Sequence, residues 1–281
     1  MNDDIVVRAP QRLLALGALT PARLALGRVG VSQPTSAVLR FGWDHAQARD
    51  AVRQRFDQEG LARRIEQLGL ATVCVASRAA DRATYLMRPD LGRRLSDQSM
   101  ARLDAASRSP CDLLLVVGDG LSCSAVMNHA VPLLEQLMRQ WGQGAAQACA
   151  GRLGPIVVAS QARVALADEV AQRLSAPLVA ILIGERPGLS SPDSLGIYLT
   201  WAPRVGRTDA ERNCISNIRP QGLSYADAAG RLTWLAREAR QLQLSGVGLK
   251  DRSDQQDPID LTAAAPLAPI SAPGPDRQGP A

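Results

Sequence analysis

The chain contains 281 residues, which is enough for one large domain or two small ones. Hydrophobic residues make up 46% of it but aromatic residues only 3%, so its core must be built mainly from aliphatic side chains. The net charge is +5, and Lys250 is the only lysine among the basic residues. Proteins that bind single-stranded nucleic acid interleave basic and aromatic side chains for base stacking. The scarcity of aromatics therefore makes a nucleic-acid-binding module the least favoured class.

The five cysteines indicate neither a disulfide scaffold nor a zinc site, because their number is odd and no two form a CxxC pair. The first ten residues, MNDDIVVRAP, begin with acidic residues and lack the basic-then-apolar order of a signal peptide. No apolar run approaches the length needed to cross a bilayer. We therefore expect a cytosolic protein without a membrane segment and without a metal held by its own side chains.

The chain is predicted to have three regions. Residues 1–70 form a small helical N-terminal region, because residues 44–68 carry apolar positions at helical spacing. Within it, residues 20–35 are irregular and contain Gly and Pro, which is typical of an arm that docks on another surface. Residues 251–281 contain many prolines and show no periodicity, which predicts a disordered tail.

Residues 71–250 show short apolar runs that alternate with helical stretches. Such alternation is typical of βαβ units and predicts an α/β fold: a Rossmann-like, mostly parallel sheet with helices on both faces. The predicted strands are residues 71–76, 113–117, 156–160 and 178–183. The predicted helices are residues 96–107, 121–141, 164–174 and 224–242, and Ser224 is expected to cap the last of them.

Residues 184–222 follow the last predicted strand and are rich in Gly, Pro and Arg. They also include Tyr198, Trp201 and Cys214, whereas a flexible linker repeats a few residue types. A long loop-like segment inside a compact domain is usually functional or disordered. The mixed composition favours a binding loop.

Two further segments follow predicted strands, at the edge where open α/β sheets bind ligands. GDGLS, residues 118–122, is similar to a phosphate-cradling turn but lacks the third glycine of the dinucleotide fingerprint. The alternative for GDGLS is a tight turn in which Asp119 caps the next helix. Residues 78–96 carry several arginines, and a ligand-facing loop and a charged surface loop are equally compatible with them.

Three residues lie where a ligand would contact them. Glu185 stands one residue past a strand and is able to accept hydrogen bonds from amides; an ion pair with an arginine is the alternative. Val164 falls in the first turn of a helix, where plain helix–sheet packing explains it equally well. Cys214 lies among polar residues, and neither His45 nor His129 is placed to act as its base, which favours contact over nucleophilic catalysis. Both histidines are interpreted as structural.

Several segments together resemble one family, the small (light) subunit of ethanolamine ammonia-lyase. The resemblance covers about residues 8–250, and Cys123 departs from it by standing where a small residue is expected. The segments, in chain order, are TPARLALGRVGVSQPT, SRAADRATYLMRPDLGRRL, GDGLS, GERPGLSSPDSLGIYLTWAPRVGRTDAERNCISNIRPQGLSY and SGVGLK.

The resemblance implies a function in ethanolamine degradation. The enzyme of this family is a lyase that deaminates ethanolamine to acetaldehyde and ammonia with adenosylcobalamin. A large barrel subunit would hold the substrate, and the small subunit would cover the opposite side of the cofactor within a hetero-oligomer. The cobalamin would be base-on, with its own dimethylbenzimidazole on cobalt, and its contacts map onto Val164, Glu185 and Cys214. No catalytic residue on this chain is implied.

Two other functions stand as alternatives to a cobalamin-clamping subunit. The first is a free-standing nucleotide-dependent enzyme on a doubly wound sheet, against which the broken glycine fingerprint counts. The second is the nucleic-acid-binding module disfavoured above. The sequence leaves open whether the complex lies free in the cytoplasm or inside a bacterial microcompartment.

Overall fold

The secondary structure is taken from a computed structural model that describes residues 6–7, 19–20, 22–105, 110–141 and 151–255. The strands within these residues are β1 (Val6–Val7), β2 (Arg28–Val29), β3 (Thr72–Ala76), β4 (Leu114–Gly118), β5 (Ile156–Ser160), β6 (Leu178–Gly184), β7 (Leu195–Trp201) and β8 (Arg212–Ile218). The α-helices there are α1 (Thr35–Arg53), α2 (Gln58–Glu66), α3 (Arg82–Met87), α4 (Asp97–Ala105), α5 (Cys123–Trp141), α6 (Leu166–Arg173) and α7 (Tyr225–Leu242).

The main sheet has six strands in the order β3-β5-β4-β6-β7-β8, and β1 pairs separately with β2. Strands β3, β5, β4 and β6 run parallel, whereas β7 and β8 are each antiparallel to the strand before them. The parallel strands and the helices α4 to α7 lie within two residues of their predicted bounds. Ser224 caps α7 as predicted, since its hydroxyl accepts a hydrogen bond from the Asp227 amide at 3.1 Å. The fold is therefore α/β with a mixed sheet.

The antiparallel pair β7 and β8 occupies the stretch predicted as a loop, residues 184–222. That prediction is wrong for both strands. Leu195, Ile197 and Leu199 alternate with less apolar residues, and all three are buried in the core. Alternation of this kind is the signature of a strand that is buried on one face. The Gly, Pro and Arg residues that suggested a loop lie mainly in the connections on either side of the two strands.

Helices cover both faces of the parallel part of the sheet, and the strand residues alternate between the two sides. In β4, Leu115 and Val117 belong to the cluster that includes apolar residues of α2, α5 and α7. Leu114 and Val116 belong to the cluster formed with α4 and α6. Side chains of successive strand residues point to opposite faces of a sheet, so strands buried on both faces are apolar throughout.

The helix predicted over residues 44–68 is two helices in the structure. Helix α1 begins nine residues earlier, at Thr35, and ends at Arg53, and α2 begins at Gln58. Asp57 causes the restart, since its carboxylate accepts a hydrogen bond from the Gly60 amide at 2.9 Å and so caps α2. Of the predicted tail, residues 251–255 are described: Ser253–Gln255 form a short 3-10 helix, and Asp254 pairs with Arg231 of α7 at 3.2 Å, so disorder does not begin at residue 251. Residues 256–281 lie outside the described residues.

Candidate functional site

The turn after β4, residues 118–122, packs against the end of β6. The amide of Leu121 donates a hydrogen bond to the Gly184 carbonyl at 2.9 Å, and Gly120 has a φ of +56°. A β-carbon on Gly184 would overlap the Ser122 carbonyl oxygen and come within 2.7 Å of the Asp119 carbonyl oxygen. The Leu121 amide is therefore engaged by protein rather than free for a phosphate, which counts against the nucleotide-enzyme alternative.

Asp119 is fully buried and does not cap α5. One of its carboxylate oxygens accepts a hydrogen bond from the Ala162 amide at 2.8 Å, and the other lies 3.3 Å from Arg82 Nη1. Burial raises the pKa of Asp119 to about 6, against the opposing effects of the Ala162 hydrogen bond and of Arg82. The cap of α5 is Ser122, whose Oγ accepts from the Ala125 amide at 3.2 Å. Asp119 thus joins the β4 turn to the segment that follows β5.

Glu185 lies directly after β6 and extends over β7 to β8. Its carboxylate oxygens lie 3.3 and 3.4 Å from the Asn217 amide, so the hydrogen bond between them is long. The residue beneath is Gly196, where a β-carbon would come within 2.8 Å of Glu185 Oε1. Among the described residues Glu185 forms no salt bridge, which removes the ion-pair alternative there. The half-buried carboxylate retains lone pairs for a ligand.

Cys214 lies beside Tyr198 on the neighbouring strand. The two residues are register partners of β8 and β7, so their side chains lie next to each other on one face of the sheet. Partial desolvation raises the pKa of the Cys214 thiol; the neighbouring Tyr198 hydroxyl opposes that rise and the charge of Glu185 adds to it. A thiol with a raised pKa is a poor nucleophile at neutral pH. These groups are consistent with the expectation that Cys214 contacts a ligand rather than attacks one.

Val164 lies two residues before α6 and is half-buried. It packs against the hydrophobic cluster on the α4 and α6 side of the sheet, and Tyr198 packs against the same cluster. The structure therefore brings Glu185 and Cys214 together around Tyr198. Val164 lies on the same side of the sheet, because it packs against the same cluster as Tyr198. We call Glu185, Tyr198, Cys214 and Asn217 the polar ledge.

A buried ion pair anchors the strand that carries Cys214. Arg212 Nη1 and Nη2 donate to the two carboxylate oxygens of Asp168 at 2.8 and 2.7 Å, and Nη1 also donates to Thr200 Oγ1 at 2.9 Å. The two charged side chains are only 2% and 1% exposed. Asp168 belongs to α6, so the pair fixes β8 relative to the helix next to Val164.

Sequence reasoning missed Tyr198 and Asn217 as site residues, and it missed the Arg212–Asp168 pair. The alternation of Leu195, Ile197 and Leu199 was the signal that would have placed Tyr198 on the opposite face of a strand. The pair joins residues 44 apart in the chain, and no local pattern indicates it.

Within the described part of the chain, neither histidine forms a hydrogen bond or ring contact with a residue of the polar ledge. His129 Nδ1 lies 2.8 Å from the Tyr225 hydroxyl and its Nε2 lies 3.3 Å from Asp193. His45 stacks on Phe41 with ring centroids 6.3 Å apart. The described ranges contain no cluster of three or more potential metal ligands.

A groove of about 610 Å³ opens between the last turns of α1, the start of α5 and residues 192–193. Most of its lining side chains are polar, and none of the three residues predicted to contact a ligand lines it. No helix within the described residues is both long enough and apolar enough to span a membrane.

The fold and the polar ledge define an α/β protein with half-exposed hydrogen-bonding groups beyond the carboxyl end of a parallel strand, where open α/β sheets bind ligands. The chain belongs to the ethanolamine ammonia-lyase light chain family, whose sequence model matches residues 10–250.

Curated relatives of the chain carry the name ethanolamine ammonia-lyase small subunit. The relative from Pseudomonas fluorescens SBW25 is 54% identical over 246 residues, covering 86% of this chain and 87% of the relative. The relative from Pseudomonas aeruginosa LESB58 is 54% identical over 261 residues, covering 91% and 94%. The relative from Pseudomonas syringae pv. tomato DC3000 is 55% identical over 243 residues, covering 85% and 83%.

Proposed function

We propose that this chain is the small subunit of an ethanolamine ammonia-lyase and clamps adenosylcobalamin against the large subunit. The family match and the names of the relatives support the identity of the complex. The complex would deaminate ethanolamine to acetaldehyde and ammonia. The observation that carries the cofactor role is the half-exposed Glu185 carboxylate beside the exposed Cys214, on a ledge otherwise occupied by Tyr198 and Asn217.

The residues of the ledge fit a cobalamin. The rim of a corrin carries neutral amide groups, and Glu185 has a carboxylate whose single protein hydrogen bond in the described structure is long. Cys214 and Val164 offer small surfaces for apolar contact on the same side of the sheet. Both histidines have other neighbours, which supports a base-on cobalamin that keeps its own axial base.

Adenosylcobalamin supplies the radical chemistry when it is bound, and protein groups supply orientation and exclusion of water. On this chain Glu185 would accept hydrogen bonds from the cofactor, and Tyr198 would hold the Cys214 sulfur in place. The substrate's catalytic groups would belong to the large subunit, which we propose is a barrel. This chain would thus be required for activity while carrying no catalytic residue.

The domain organisation and location belong to the same proposal. Residues 71–250 would form a Rossmann-like cobalamin-binding domain, preceded by a helical region over residues 1–70 and followed by a separate tail from residue 251. The complex would be a cytoplasmic hetero-oligomer, either free or enclosed in a microcompartment.

Glu185→Ala is expected to weaken the binding of adenosylcobalamin to the assembled complex about 10- to 100-fold. The reason is the loss of a hydrogen bond to a charged acceptor, worth about 1.5–3 kcal/mol. The measurement is an equilibrium titration of the complex with the cofactor. Glu59→Ala is the matched control, because Glu59 is an exposed glutamate on α2, on the other side of the sheet. Unchanged affinity in the Glu185 variant would leave this residue with only its hydrogen bond to Asn217.

A further inference from the structure

The N-terminal part of the described chain exposes an unusual run of large apolar side chains. We call residues 22–43, which end within the first half of α1, the apolar arm. Val31 is 103% exposed, Leu39 is 68% exposed and Trp43 is 66% exposed. The large apolar side chains exposed on the arm are Leu24, Leu26, Val29, Val31, Val38, Leu39, Phe41 and Trp43.

The apolar arm exposes more apolar surface than a monomer usually leaves in water. Its eight side chains together expose on the order of 800 Å², which is about one partner's share of a standard protein–protein interface. The beginning of α1 is also weakly supported, because Pro34 at its N-cap position provides no side-chain hydrogen bond. Most of the stability of a helix in a protein comes from packing of its apolar face, and among the described residues Ala51 is the one buried residue of α1, so a partner surface would stabilise its first half.

The arm is nevertheless arranged as one unit. Arg23 forms an ion pair with Asp44 of α1 at 2.6 Å, and its guanidinium lies 5.6 Å from the centre of the Phe41 ring. These contacts hold the start of the arm, at Arg23, against the side of α1. A surface that is already ordered in this way costs less conformational entropy when it binds.

The apolar residues are distributed around α1 in a way that fits insertion into a groove better than pairing with α1 of a second copy. At about 100° per residue, Val38, Leu39, Phe41 and Trp43 spread over roughly 200° of the helix circumference. The opposite side carries Arg40. A helix that pairs with a copy of itself uses a narrow apolar stripe. An arc this wide requires a partner that surrounds the helix on more than one side.

The C-terminal end of α1, beyond the arm, is joined to the end of the sheet that carries Glu185. Arg82 donates through Nε to the Val52 carbonyl near the end of α1 at 2.8 Å, and through Nη1 to the Gly120 carbonyl at 2.8 Å. The turn containing Gly120 is hydrogen-bonded to Gly184, the residue before Glu185. A partner that covers this end of the sheet to share a cofactor would therefore also meet the C-terminal end of α1, the helix whose first half belongs to the arm.

We propose that the apolar arm inserts into a groove of the large subunit, the same chain that shares the cofactor at the polar ledge. This inference rests on the proposed function, because it takes the large subunit as the partner. The arm then supplies the apolar part of the subunit interface, and the ledge supplies its cofactor-facing part.

The test is the affinity between the separately purified full-length chain and the large subunit, measured by sedimentation or by titration of a labelled chain. Leu39→Asp is expected to weaken that association at least about 100-fold, since it places a charge at the centre of a desolvated apolar contact. Leu242→Asp is the matched control: Leu242 is 51% exposed at the end of α7, and association should be unchanged. Trp43→Asp provides a second variant on the arm, and circular dichroism establishes that each variant is folded.

The outcomes separate this inference from the proposed function. Wild-type affinity in both arm variants would overturn the docking role of the arm and leave the cofactor role intact. A second outcome would also overturn the inference. The wild-type chain would form dimers, Leu39→Asp would abolish them, and the variant would still bind the large subunit. The arm would then bind a second copy of this chain. Failure of the wild-type chain to bind the large subunit at all would overturn both proposals.

Discussion

Asp168→Ala is expected to lower the free energy of unfolding by about 3–5 kcal/mol, because it removes the buried carboxylate and leaves the Arg212 guanidinium with only the exposed Asp209, 3.4 Å from Nε, as a counter-charge. Arg212 is 2% exposed in its side chain, and it would keep only Thr200 and a backbone carbonyl as strong partners on its terminal nitrogens. The measurement is urea unfolding followed by tryptophan fluorescence and by circular dichroism.

Asp104→Ala is the matched control for that experiment. Asp104 also pairs with an arginine, Arg173, at 2.8 Å, but its side chain is 47% exposed. Exposed ion pairs contribute about 0–1 kcal/mol, so this variant should unfold close to the wild type. Equal, small losses in both variants would show that the buried pair does not hold β8 against α6.

Gly184→Ala is expected to destabilise the fold by about 3 kcal/mol or more, and to displace the turn after β4. The added β-carbon would overlap the Ser122 carbonyl oxygen, and a backbone atom has less room to move than the end of a flexible side chain. The hydrogen bond from Leu121 to the Gly184 carbonyl would be strained by the same movement. Because Glu185 is the next residue, cofactor affinity should fall together with the melting temperature.

Gly42→Ala controls for the general effect of replacing a glycine. Gly42 lies inside α1, and outside its chain neighbours and the backbone of its own helix no atom lies within 4 Å of where its β-carbon would be placed. An alanine in a helix interior is about 0.5–1 kcal/mol more favourable than a glycine, so the isolated chain should be slightly stabilised. A Gly184→Ala variant that melts at the wild-type temperature would contradict the close packing of β6 against the turn.

The parallel half of the fold could be predicted because its signals are local. Strands such as β4 and β6 are continuous apolar runs bounded by turns, and Ser224 with Asp227 is a local capping pattern. The strands β7 and β8 could not be predicted in this way. The buried apolar positions of β7 alternate with residues such as Tyr198, whereas in β8 Arg212, Ile215 and Ile218 are buried at every third position. The Gly, Pro and Arg residues around both strands resemble those of a loop.

The candidate site was predicted in part. Glu185 follows directly from the end of a recognisable strand. Val164 and Cys214 are weaker candidates by position, and the family resemblance is what assigns them to cobalamin contact. The contact of Glu185 with Asn217 depends on the register of two antiparallel strands, which the sequence does not display. The Arg212–Asp168 pair and the link from Arg82 to α1 join residues 44 and 30 apart in the chain. Such contacts depend on tertiary packing rather than on local periodicity.

The central claim is that this chain forms part of the cobalamin site. The most direct measurement is the binding of adenosylcobalamin to the large subunit alone and to the large subunit saturated with this chain. We expect binding to the large subunit alone to be weaker by on the order of 100-fold, with no turnover of ethanolamine. Equal affinity and a full rate of turnover without this chain would contradict the claim.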